Sequence, residues 1–389
     1  MYSIVFSIDN NYAKFCAVTI TSIIQATNAK NMGGGANSLD NPTAEYSKSS
    51  KKSKNTTKDT ADSNQPYDFH ILSDNISQES QDRFQILAES LSQIYPCQIT
   101  IHKVSDKEFH KTPTLNGNHS AYLRLKVAST LPKTIKKCLY LDTDMLILSD
   151  IRDIFNTNLD DYLLAAVGDF HTSRILPAYA GKTSYAFDAT QPYFNSGMLL
   201  INLEKWRKEQ IENKLLDFLA TYQVVYHDQD AINAIAKDRI LKLSPKWNAM
   251  LLFKIAIEEW TRAKLLFGIG EGQLPYTREY FAQEVKSPAI LHLCGDHIPK
   301  PWQSPYSKIH PPFNAYLPIT HSSYAKWWET ALNTPAFSDE LAKIKQELDE
   351  NALQYYIAAM NNALQMRDNF YSQQIQTLHN AIQNLLSQR

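Results

Sequence analysis

Two acidic residues interrupt an apolar run near the middle of the sequence. Residues 138–150 read CLYLDTDMLILSD, so Asp142 and Asp144 stand two positions apart directly after what has the composition of a core strand. Two neighbouring carboxylates repel one another unless a cation neutralises them, and on a strand both would point to the same face. Hard oxygen ligands suit Mg²⁺ or Mn²⁺, which often bind carboxylates together with substrate phosphates. The pair therefore predicts a site for a metal ion and a diphosphate.

Two other interpretations of the same pair stay open at this point. One is a surface loop with two solvated aspartates, although the apolar CLYL before them favours a core strand. The other is a phosphatase of the haloacid dehalogenase type, in which Asp142 would be the phosphoryl nucleophile. Those enzymes normally carry the motif on the first strand of the domain. Here it follows about 140 residues, and Met145 replaces the usual Thr or Val.

The composition limits the class of protein. The chain has 389 residues, 43% of them hydrophobic, which is enough for one large domain with additions or for two domains. A net charge of −1 gives no basic excess for nucleic acid. The four cysteines form no CxxC pair and are expected to be reduced thiols. Without a recognisable signal peptide or a membrane-spanning apolar run, we expect a cytoplasmic protein.

Strand and helix patterns alternate along most of the chain. Strands are predicted at 3–8, 67–74, 98–104, 137–147, 196–202 and 288–295, and helices at 13–27, 77–95, 120–132, about 203–222 and 228–236. The second helix is predicted to begin after Ser77 or Ser80 as N-cap. This alternation predicts an α/β fold with a mostly parallel central sheet. Ligands of such sheets gather at the carboxyl ends of the strands, so Asp9 and Asp142 are expected to share one site.

Three segments differ from this pattern. Residues 28–66 are rich in Gly, Ser, Asn, Thr and Lys and are predicted to be a mobile surface insertion. Residues 303–337 are rich in aromatic side chains, which could belong to the core, an acceptor pocket or a membrane-interface anchor. The polar, helical tail at 338–389 carries a heptad pattern. It fits either a helix packed on its own domain or a coiled coil between two chains. Its apolar positions are Tyr371, Ile375, Leu378, Ile382 and Leu385.

Seven stretches, taken together and in this order, resemble the retaining glycosyltransferases of family 8. These include the galactosyl- and glucosyltransferases of bacterial lipooligosaccharide synthesis, with glycogenin as a distant relative. The stretches are IVFSIDNNYA (4–13), YLRLKVASTLP (122–132), CLYLDTDMLILSDI (138–151), YFNSGMLLINLEKWR (193–207), YHDQDAIN (226–233), KWNAM (246–250) and ILHLCGDHIPKPW (290–302). The resemblance implies a GT-A nucleotide-sugar-binding fold over residues 1–302. Neither the 28–66 insertion nor the helical C-terminal extension belongs to the shared core of the family.

The resemblance also implies a role for individual residues. Asp142, Asp144 and His292 would bind Mn²⁺, with Mg²⁺ as the alternative ion. The sugar-nucleotide and its diphosphate would be contacted by Asp9, Asn11, Arg124, Lys126, Gly295 and Lys300. Asn195 would contact the sugar, and Asp228 and Gln229 would face its anomeric carbon as the catalytic candidates.

One motif departs from the family pattern. The family usually shows HxxGxxKPW, whereas the run from His292 to Trp302 is two residues longer. The extra residues shift the register of Lys300, which is still expected to reach the phosphates, and His297 among them could compete for a role.

Each of these residue types also has an ordinary structural explanation. A histidine in an apolar strand such as His292 is often a satisfied core residue. Arg124 and Lys126 could lie on a solvated helix face. Asp228 could be a helix N-cap with Gln229 as an ordinary helix residue behind it.

The expected activity is transfer of a hexose from UDP-galactose or UDP-glucose to a saccharide or glycolipid acceptor. The product would keep the anomeric configuration of the donor. We favour attack by the acceptor hydroxyl on the same face of the sugar from which the diphosphate leaves. Such an enzyme would work in the cytoplasm or at the inner face of the cytoplasmic membrane. A non-catalytic nucleotide-sugar-binding protein is the alternative outside the enzymes. A nucleotidyltransferase is disfavoured because SIDNNYA lacks the usual Gly-rich loop.

Overall fold

The structure is a computed structural model, and it describes residues 1–31, 65–114, 117–170, 173–188, 190–258, 274–294, 299–306 and 322–387. The strands are β1 Tyr2–Ser7, β2 Tyr67–Ser73, β3 Cys97–Lys103, β4 Lys137–Leu141, β5 Met145–Ile147, β6 Leu164–Asp169, β7 Arg174–Pro177, β8 Ser184–Phe187, β9 Tyr193–Asn202, β10 Ile240–Lys242, β11 Ala249–Met250 and β12 Ile290–His292. The helices are α1 Ala13–Asn31, α2 Gln78–Ser92, α3 Val127–Thr130, α4 Leu203–Lys208, α5 Ile211–Thr221, α6 His227–Ala236, α7 Leu251–Glu258, α8 Arg278–Glu284, α9 Ser322–Leu332, α10 Ser338–Glu350 and α11 Ala352–Ser387.

Seven strands form the central sheet, in the order β10-β6-β9-β4-β1-β2-β3. β9 runs antiparallel to β4 and β6, and the other pairs are parallel. The predicted α/β class with a mostly parallel sheet is therefore confirmed. β1 and β4 are parallel neighbours, with Ile4 opposite Leu139, so their carboxyl ends open at the same edge. Asp9 and the aspartate pair lie at this edge of the sheet.

Apolar side chains cover both faces of this sheet. On β1, Ile4 and Phe6 belong to a core shared with α1 and α2, whereas Val5 points to a second core shared with α4, α5 and α6. A strand that buries both faces needs an uninterrupted apolar run, which explains why SIVFSI lacks polar alternation. The two cores fix the sheet between two helical layers.

The predicted single strand at 137–147 is wrong in its middle. The chain ends β4 at Leu141, turns through residues 142–144 and continues as β5. β4 pairs with β9 in the large sheet, whereas β5 joins a three-stranded sheet of order β11-β12-β5. The aspartate pair lies in the turn that carries the chain from one sheet to the other, because the two halves of the run have different partners.

Other predicted elements differ in extent. The helix expected at 120–132 is a 3-10 helix, Ser120–Lys126, followed by the short α3. The helix expected at 203–222 is two helices, because Gln210 between them has a φ of 54°, in the left-handed region. The strand expected at 288–295 shortens to β12. α2 begins after Ser77, whose Oγ accepts a hydrogen bond from the Ser80 amide at 3.2 Å, as predicted.

Four aromatic side chains between residues 302 and 328 belong to the core. Trp302 stacks on Phe15 of α1 with ring centroids 4.0 Å apart, and Trp327 on α9 is fully buried beside it. Tyr324 and Trp328 are buried in the same cluster. Of the three alternatives for this segment, these residues support the core. Phe313 and Tyr316 lie outside the described residues, as does most of the predicted insertion (residues 32–64).

The two C-terminal helices continue from this cluster. α11 is 36 residues long, and Ala359 and Ala363 in its first half are buried. From Tyr371 to Ser387 every residue is exposed. Among the described helices, none is long and apolar enough to cross a membrane.

Candidate functional site

Asp142, Asp144 and His292 come together at the edge where β1 and β4 end. One ligand atom from each of the three residues can be chosen so that all lie within 4.8 Å of one another. His292 Nε2 is 3.2 Å from Asp144 Oδ1 and 3.8 Å from Asp142 Oδ2. The imidazole is buried, whereas the two carboxylates keep 24% and 15% of their side-chain surface exposed. The cluster is therefore open on the carboxylate side.

Strand register explains how residues about 150 positions apart in the sequence meet. β12 lies antiparallel to β5 with His292 directly opposite Met145, and the Leu293 amide donates to the Asp144 carbonyl at 2.9 Å. On the other side, the Asp142 amide donates to the Gly197 carbonyl of β9 at 2.8 Å. The aspartate turn is thus held by both sheets, which places its side chains beside His292.

Gly197 is needed because these side chains come so close to the backbone. A Cβ at this position would lie 2.4 Å from His292 Cε1 and 2.7 Å from Asp142 Oδ2. Both distances are far below van der Waals contact, so any larger residue would push the ligands apart. The glycine of FNSG therefore makes room for the cluster.

Two cationic side chains flank the cluster. The Lys300 ammonium pairs with Asp144, and it also donates to the Leu293 carbonyl at 2.6 Å. The Arg124 guanidinium donates to Asp142 Oδ1 at 2.7 Å and packs over the Tyr140 ring, 4.3 Å from its centroid. Lys300 thus reaches the cluster despite the two extra residues in its motif.

The surroundings shift the pKa values of the two aspartates in opposite directions. Burial and the neighbouring Asp144 raise the pKa of Asp142, and Arg124 only partly opposes this. Burial would also raise the pKa of Asp144, but Lys300 and His292 hold it well below its usual range. Asp144 is thus ionised at neutral pH. Additional positive charge nearby would therefore favour the ionised form of Asp142.

The donor set fits a divalent cation. Two carboxylate oxygens and an imidazole nitrogen form one side of a coordination sphere, and the exposed side remains for substrate oxygens. The orientation of the His292 ring suits a metal ligand, because its Nδ1 contacts Asn248 Oδ1 at 2.9 Å and its Nε2 faces the carboxylates. Metal-bound histidines commonly use their second nitrogen in this way.

A network of amides adjoins the cluster. Asn195 Nδ2 lies 3.1 Å from Asp169 Oδ2 and 3.3 Å from Gln229 Oε1. Gln229 Nε2 donates to the same Asp169 oxygen at 3.2 Å, and its Oε1 accepts from the Ser196 amide at 3.0 Å. Asn195 and Gln229 are therefore brought together, and their contact with a sugar, which the family resemblance implies, stays a prediction.

The other catalytic candidate, Asp228, lies on the first turn of α6 and is 4% exposed. Its Oδ2 is 3.2 Å from Arg124 Nε, so Arg124 lies between Asp142 and Asp228. Burial raises the pKa of Asp228, although Arg124 opposes this. The structure joins Asp228 to the cluster through this one guanidinium.

The alternative that Asp228 is an N-cap is wrong. The N-cap of α6 is Tyr226, and the carboxylate that accepts the free amides of Val225 and Tyr226, at 2.8 and 2.9 Å, belongs to Asp230. Asp230 also accepts from Tyr193 at 2.7 Å and pairs with Arg174. Because Asp230 serves the helix end, Asp228 is not needed there.

The remaining predicted residues have different surroundings. Asp9 accepts hydrogen bonds from the Tyr12 amide at 3.0 Å and from Asn118 Nδ2 at 2.9 Å, and Asn11 is exposed beside it. The Lys126 ammonium pairs with Glu108, and none of the contacts found among the described residues joins it to the cluster. Gly295 and His297 lie outside the described residues.

Three residues of the site were missed by sequence reasoning. Asp169 ends β6 and follows an apolar strand, the same signal that marked Asp9 and Asp142. Asn248 and Gly197 lie in stretches that were recognised as motifs, KWNAM and FNSG, but nothing in one sequence shows what they touch. Their roles depend on contacts with His292 and Asn195, which only the folded chain brings near.

Known proteins resemble this chain over most of its length. A model of "Glycosyl transferase family 8" matches residues 3–305. General stress protein A of Bacillus subtilis is 33% identical over 234 residues, which are 59% of this chain and 73% of that protein. The lipopolysaccharide glucosyltransferase WaaO of Escherichia coli is 25% identical over 279 residues, 70% of this chain and 74% of that protein.

A solved structure supports the fold. The galactosyltransferase LgtC, crystallised with donor and acceptor sugar analogues, superposes with a TM-score of 0.53 at 20% identity. The match covers 85% of this chain and 96% of that one. At this identity the likeness concerns the fold alone, and it confirms the predicted GT-A class. The family model ends at residue 305, so α9, α10 and α11 lie beyond it.

Proposed function

The chain belongs to glycosyl transferase family 8, and from this premise we propose that it transfers galactose or glucose from a UDP-sugar to a saccharide acceptor. The proposal includes a divalent cation, with Mn²⁺ preferred over Mg²⁺, and retention of the anomeric configuration. Its main support is one observation, the convergence of Asp142, Asp144 and His292 beside Lys300 and Arg124. Relatives named as lipopolysaccharide galactosyl- and glucosyltransferases agree with a hexose donor.

The cluster is suited to a departing diphosphate. A cation held by the two carboxylates and the imidazole would act there as a Lewis acid on the leaving group. Lys300 already reaches this place, and its ammonium would contact a phosphate oxygen bound there. Arg124 is held by carboxylates on two sides, so we assign it the task of setting the positions of Asp142 and Asp228.

The amide network is suited to the sugar. Asn195 and Gln229 present their side chains from β9 and α6, and Asp169 holds both. Gln229 Oε1 accepts from Asn195 and from the Ser196 amide, which favours a fixed amide that orients the sugar over one that attacks it. Asp228 precedes Gln229 in the sequence and is buried, and its pairing with Arg124 disfavours covalent attack by its oxygen.

We therefore favour same-face attack. The acceptor hydroxyl would bond to the anomeric carbon as the bond from that carbon to the diphosphate oxygen breaks. The proton of the hydroxyl would pass to the leaving phosphate oxygen, so no protein base is required. Gln229 and Asp228 would stabilise the sugar during this step.

The acceptor is proposed from the relatives. Because several are named for lipopolysaccharide, a growing saccharide of that kind is the first acceptor to test. The enzyme would then work at the inner face of the cytoplasmic membrane, where such glycolipids are built.

A donor screen tests the proposal. Purified protein is incubated with Mn²⁺ and a panel of UDP-, GDP- and CMP-sugars, with and without saccharide acceptors, and released nucleotide is measured. We expect release from UDP-galactose or UDP-glucose, its loss in EDTA and its recovery with added Mn²⁺. Proton NMR of the product should show the anomeric configuration of the donor.

Three outcomes would contradict the proposal. Release that persists unchanged in EDTA would remove the metal from the mechanism. Binding of a UDP-sugar without hydrolysis or transfer would indicate a non-catalytic binding protein. Turnover of a generic aryl phosphate would favour the phosphatase alternative, since a glycosyltransferase has no use for it.

A further inference from the structure

Asn248 connects the candidate metal site to the sugar side, a role that no sequence motif assigned to it. The side chain is completely buried between β12 and β9. Its Oδ1 contacts His292 Nδ1 and its Nδ2 contacts Asn195 Oδ1, both at 2.9 Å. A buried side-chain amide whose oxygen and nitrogen each contact a different site residue can position both of them.

The direction of each hydrogen bond can be deduced from a backbone group. The Gly197 amide can only donate, and it lies 3.0 Å from Asn195 Oδ1, so that atom is an oxygen. The Asn248 atom that faces this oxygen must be a donor, which makes it Nδ2. The other end of the Asn248 amide is then Oδ1, which can only accept. His292 must therefore carry its hydrogen on Nδ1 to donate to it.

We propose that Asn248 is a positioning residue that fixes the Nδ1–H tautomer of His292 and couples it to Asn195. In this tautomer Nε2 faces Asp142 and Asp144, and it would give its lone pair to a cation bound between them. The inference rests on the metal site of the proposed function. It adds that metal binding and sugar positioning depend on the same amide.

Two substitutions separate the two halves of this role. Asn248→Leu keeps the size of the side chain and removes both hydrogen bonds. Asn248→Asp keeps an oxygen that accepts from His292, but it loses the donor to Asn195 and places negative charge against Asn195 Oδ1. The leucine variant should lose both functions, whereas the aspartate variant should lose only the sugar side.

Mn²⁺ binding, measured by electron paramagnetic resonance without any sugar-nucleotide, provides a readout besides activity. We expect Asn248→Leu to weaken Mn²⁺ binding by about 10- to 100-fold. Asn248→Asp should bind Mn²⁺ within about 3-fold of the wild type, while the KM for the donor rises by about 10-fold or more, the cost of a buried unmatched polar pair. Thermal melting identifies any variant that fails to fold.

The results distinguish this inference from the proposed function. If the wild type binds no Mn²⁺, the metal site itself is wrong. If the wild type binds Mn²⁺ and the leucine variant, still folded, binds it equally well, Asn248 does not position His292. If both variants change the donor KM and Mn²⁺ binding to the same extent, the coupling through Asn195 is wrong.

A separate observation concerns the end of α11. Five apolar residues at heptad spacing, here called the seam, are exposed by 47% to 67%: Tyr371, Ile375, Leu378, Ile382 and Leu385. From residue 371 to 387 the helix has no cover from the described parts of its own chain. In proteins most helical stability comes from packing of an apolar face, so the exposed seam favours a partner.

The sequence of the seam points to a second copy of this chain. The β-branched Ile375 and Ile382 occupy one core position of the heptad, and Leu378 and Leu385 occupy the other, a combination that favours parallel two-stranded coiled coils. Residues 369–388 contain no Asp, Glu, Lys or Arg, so two copies in parallel would not repel one another. A helix that lies on a membrane surface usually carries Lys and Arg on its polar face, and here there are none.

We infer that two chains associate through a parallel coiled coil of their seams. The full-length wild type should have a molar mass in light scattering of about 89 kDa, twice 44.4 kDa. Ile375→Glu with Ile382→Glu places charge in the seam and should give the monomer mass. The matched control, Gln373→Glu with Asn380→Glu, adds the same charge on the face opposite the seam and should remain a dimer.

Three results would overturn this second inference. A wild type that stays at 44.4 kDa across the micromolar range would exclude the dimer. Flotation of the wild type with vesicles of phosphatidylethanolamine and phosphatidylglycerol, lost only in the seam variant, would make a lipid surface the occupant. Retained dimer mass in the seam variant would place the contact elsewhere on the chain.

Discussion

Two acidic groups lie within a dozen residues of one another, and the structure uses them differently. Asp150 is buried, and Arg152, two positions on, surrounds it: Nε lies 3.0 Å from both carboxylate oxygens and Nη2 lies 2.7 Å from one. Asp142 and Asp144 instead share their surroundings with side chains from distant parts of the chain. The carboxylate of Asp150 is paired with a cation close to it in the sequence, which is typical of a stabilising ion pair. The carboxylates of Asp142 and Asp144 lie around a histidine, which indicates a site for a bound cation.

The charge balance sharpens this difference. Asp150 and Arg152 form a matched pair. Around the candidate metal site, three carboxylates (Asp142, Asp144 and Asp228) face two permanent cations, Arg124 and Lys300, when His292 is neutral. The carboxylates therefore outnumber these two cations, and either a bound divalent cation or a proton on His292 would balance them. The comparison predicts that substitutions in one group change activity and those in the other change stability.

The largest effect is expected for Asp144→Ala. The variant loses one metal ligand and the partner of Lys300, so we expect kcat/KM to fall by at least about 1,000-fold, even in excess Mn²⁺. The melting temperature should fall less than in Asp150→Ala, because relief of the repulsion from Asp142 partly offsets the lost pairing with Lys300. A rate near that of the wild type would remove Asp144 from the metal site.

Asp150→Ala should show the reverse pattern. It leaves the Arg152 guanidinium buried without its carboxylate, and we expect the free energy of unfolding to fall by about 3 kcal/mol. Urea denaturation measures this loss, and kcat of the folded enzyme should stay within about 2-fold of the wild type. A large fall in kcat at full stability would mean that Asp150 is not merely structural.

Gly197→Ala tests the tight packing of the backbone against the candidate metal site. The new methyl group would collide with His292 and Asp142, and relief of the clash should separate the ligands at a cost of about 2 kcal/mol. This corresponds to about 30-fold weaker Mn²⁺ binding, which titration calorimetry can measure. Gly181→Ala, in an exposed turn with a φ of +85° and open space around its Cβ position, is the control, and it should leave Mn²⁺ binding unchanged.

The smallest effect is expected for Lys126→Ala. The family resemblance predicts that Lys126 contacts the sugar-nucleotide, but its ammonium pairs with Glu108 in the structure. We expect the donor KM to rise by no more than about 3-fold, as for a partly exposed ion pair. A rise of 30-fold would show that Lys126 leaves Glu108 when the donor binds.

Much of the fold could be predicted from the sequence because local patterns determine it. The apolar run of β1, the Ser77 cap of α2 and the aspartates after β4 each have signals within a few residues. The break inside 137–147 had no such signal, because it arises from a change of pairing partner between β9 and β12. The break at Gln210 depends on a backbone conformation that side-chain periodicity does not encode.

The candidate site divides in the same way. Asp142, Asp144, Asn195 and Gln229 lie in recognisable motifs, and the structure brings all four to one edge. Asn248 and Asp169 could not be assigned, because their part is to hold other side chains across the sheet. Residues that act through a neighbour become visible only when strand register is known.

The most direct test of the account is a crystal of the full chain grown with Mn²⁺ and UDP, with data collected to reveal the anomalous signal of manganese. We predict one peak within coordination distance of a carboxylate oxygen of Asp142, one of Asp144 and Nε2 of His292, with the UDP phosphates on its open side. A map with bound UDP but no peak there, or with these three side chains turned apart, would contradict it.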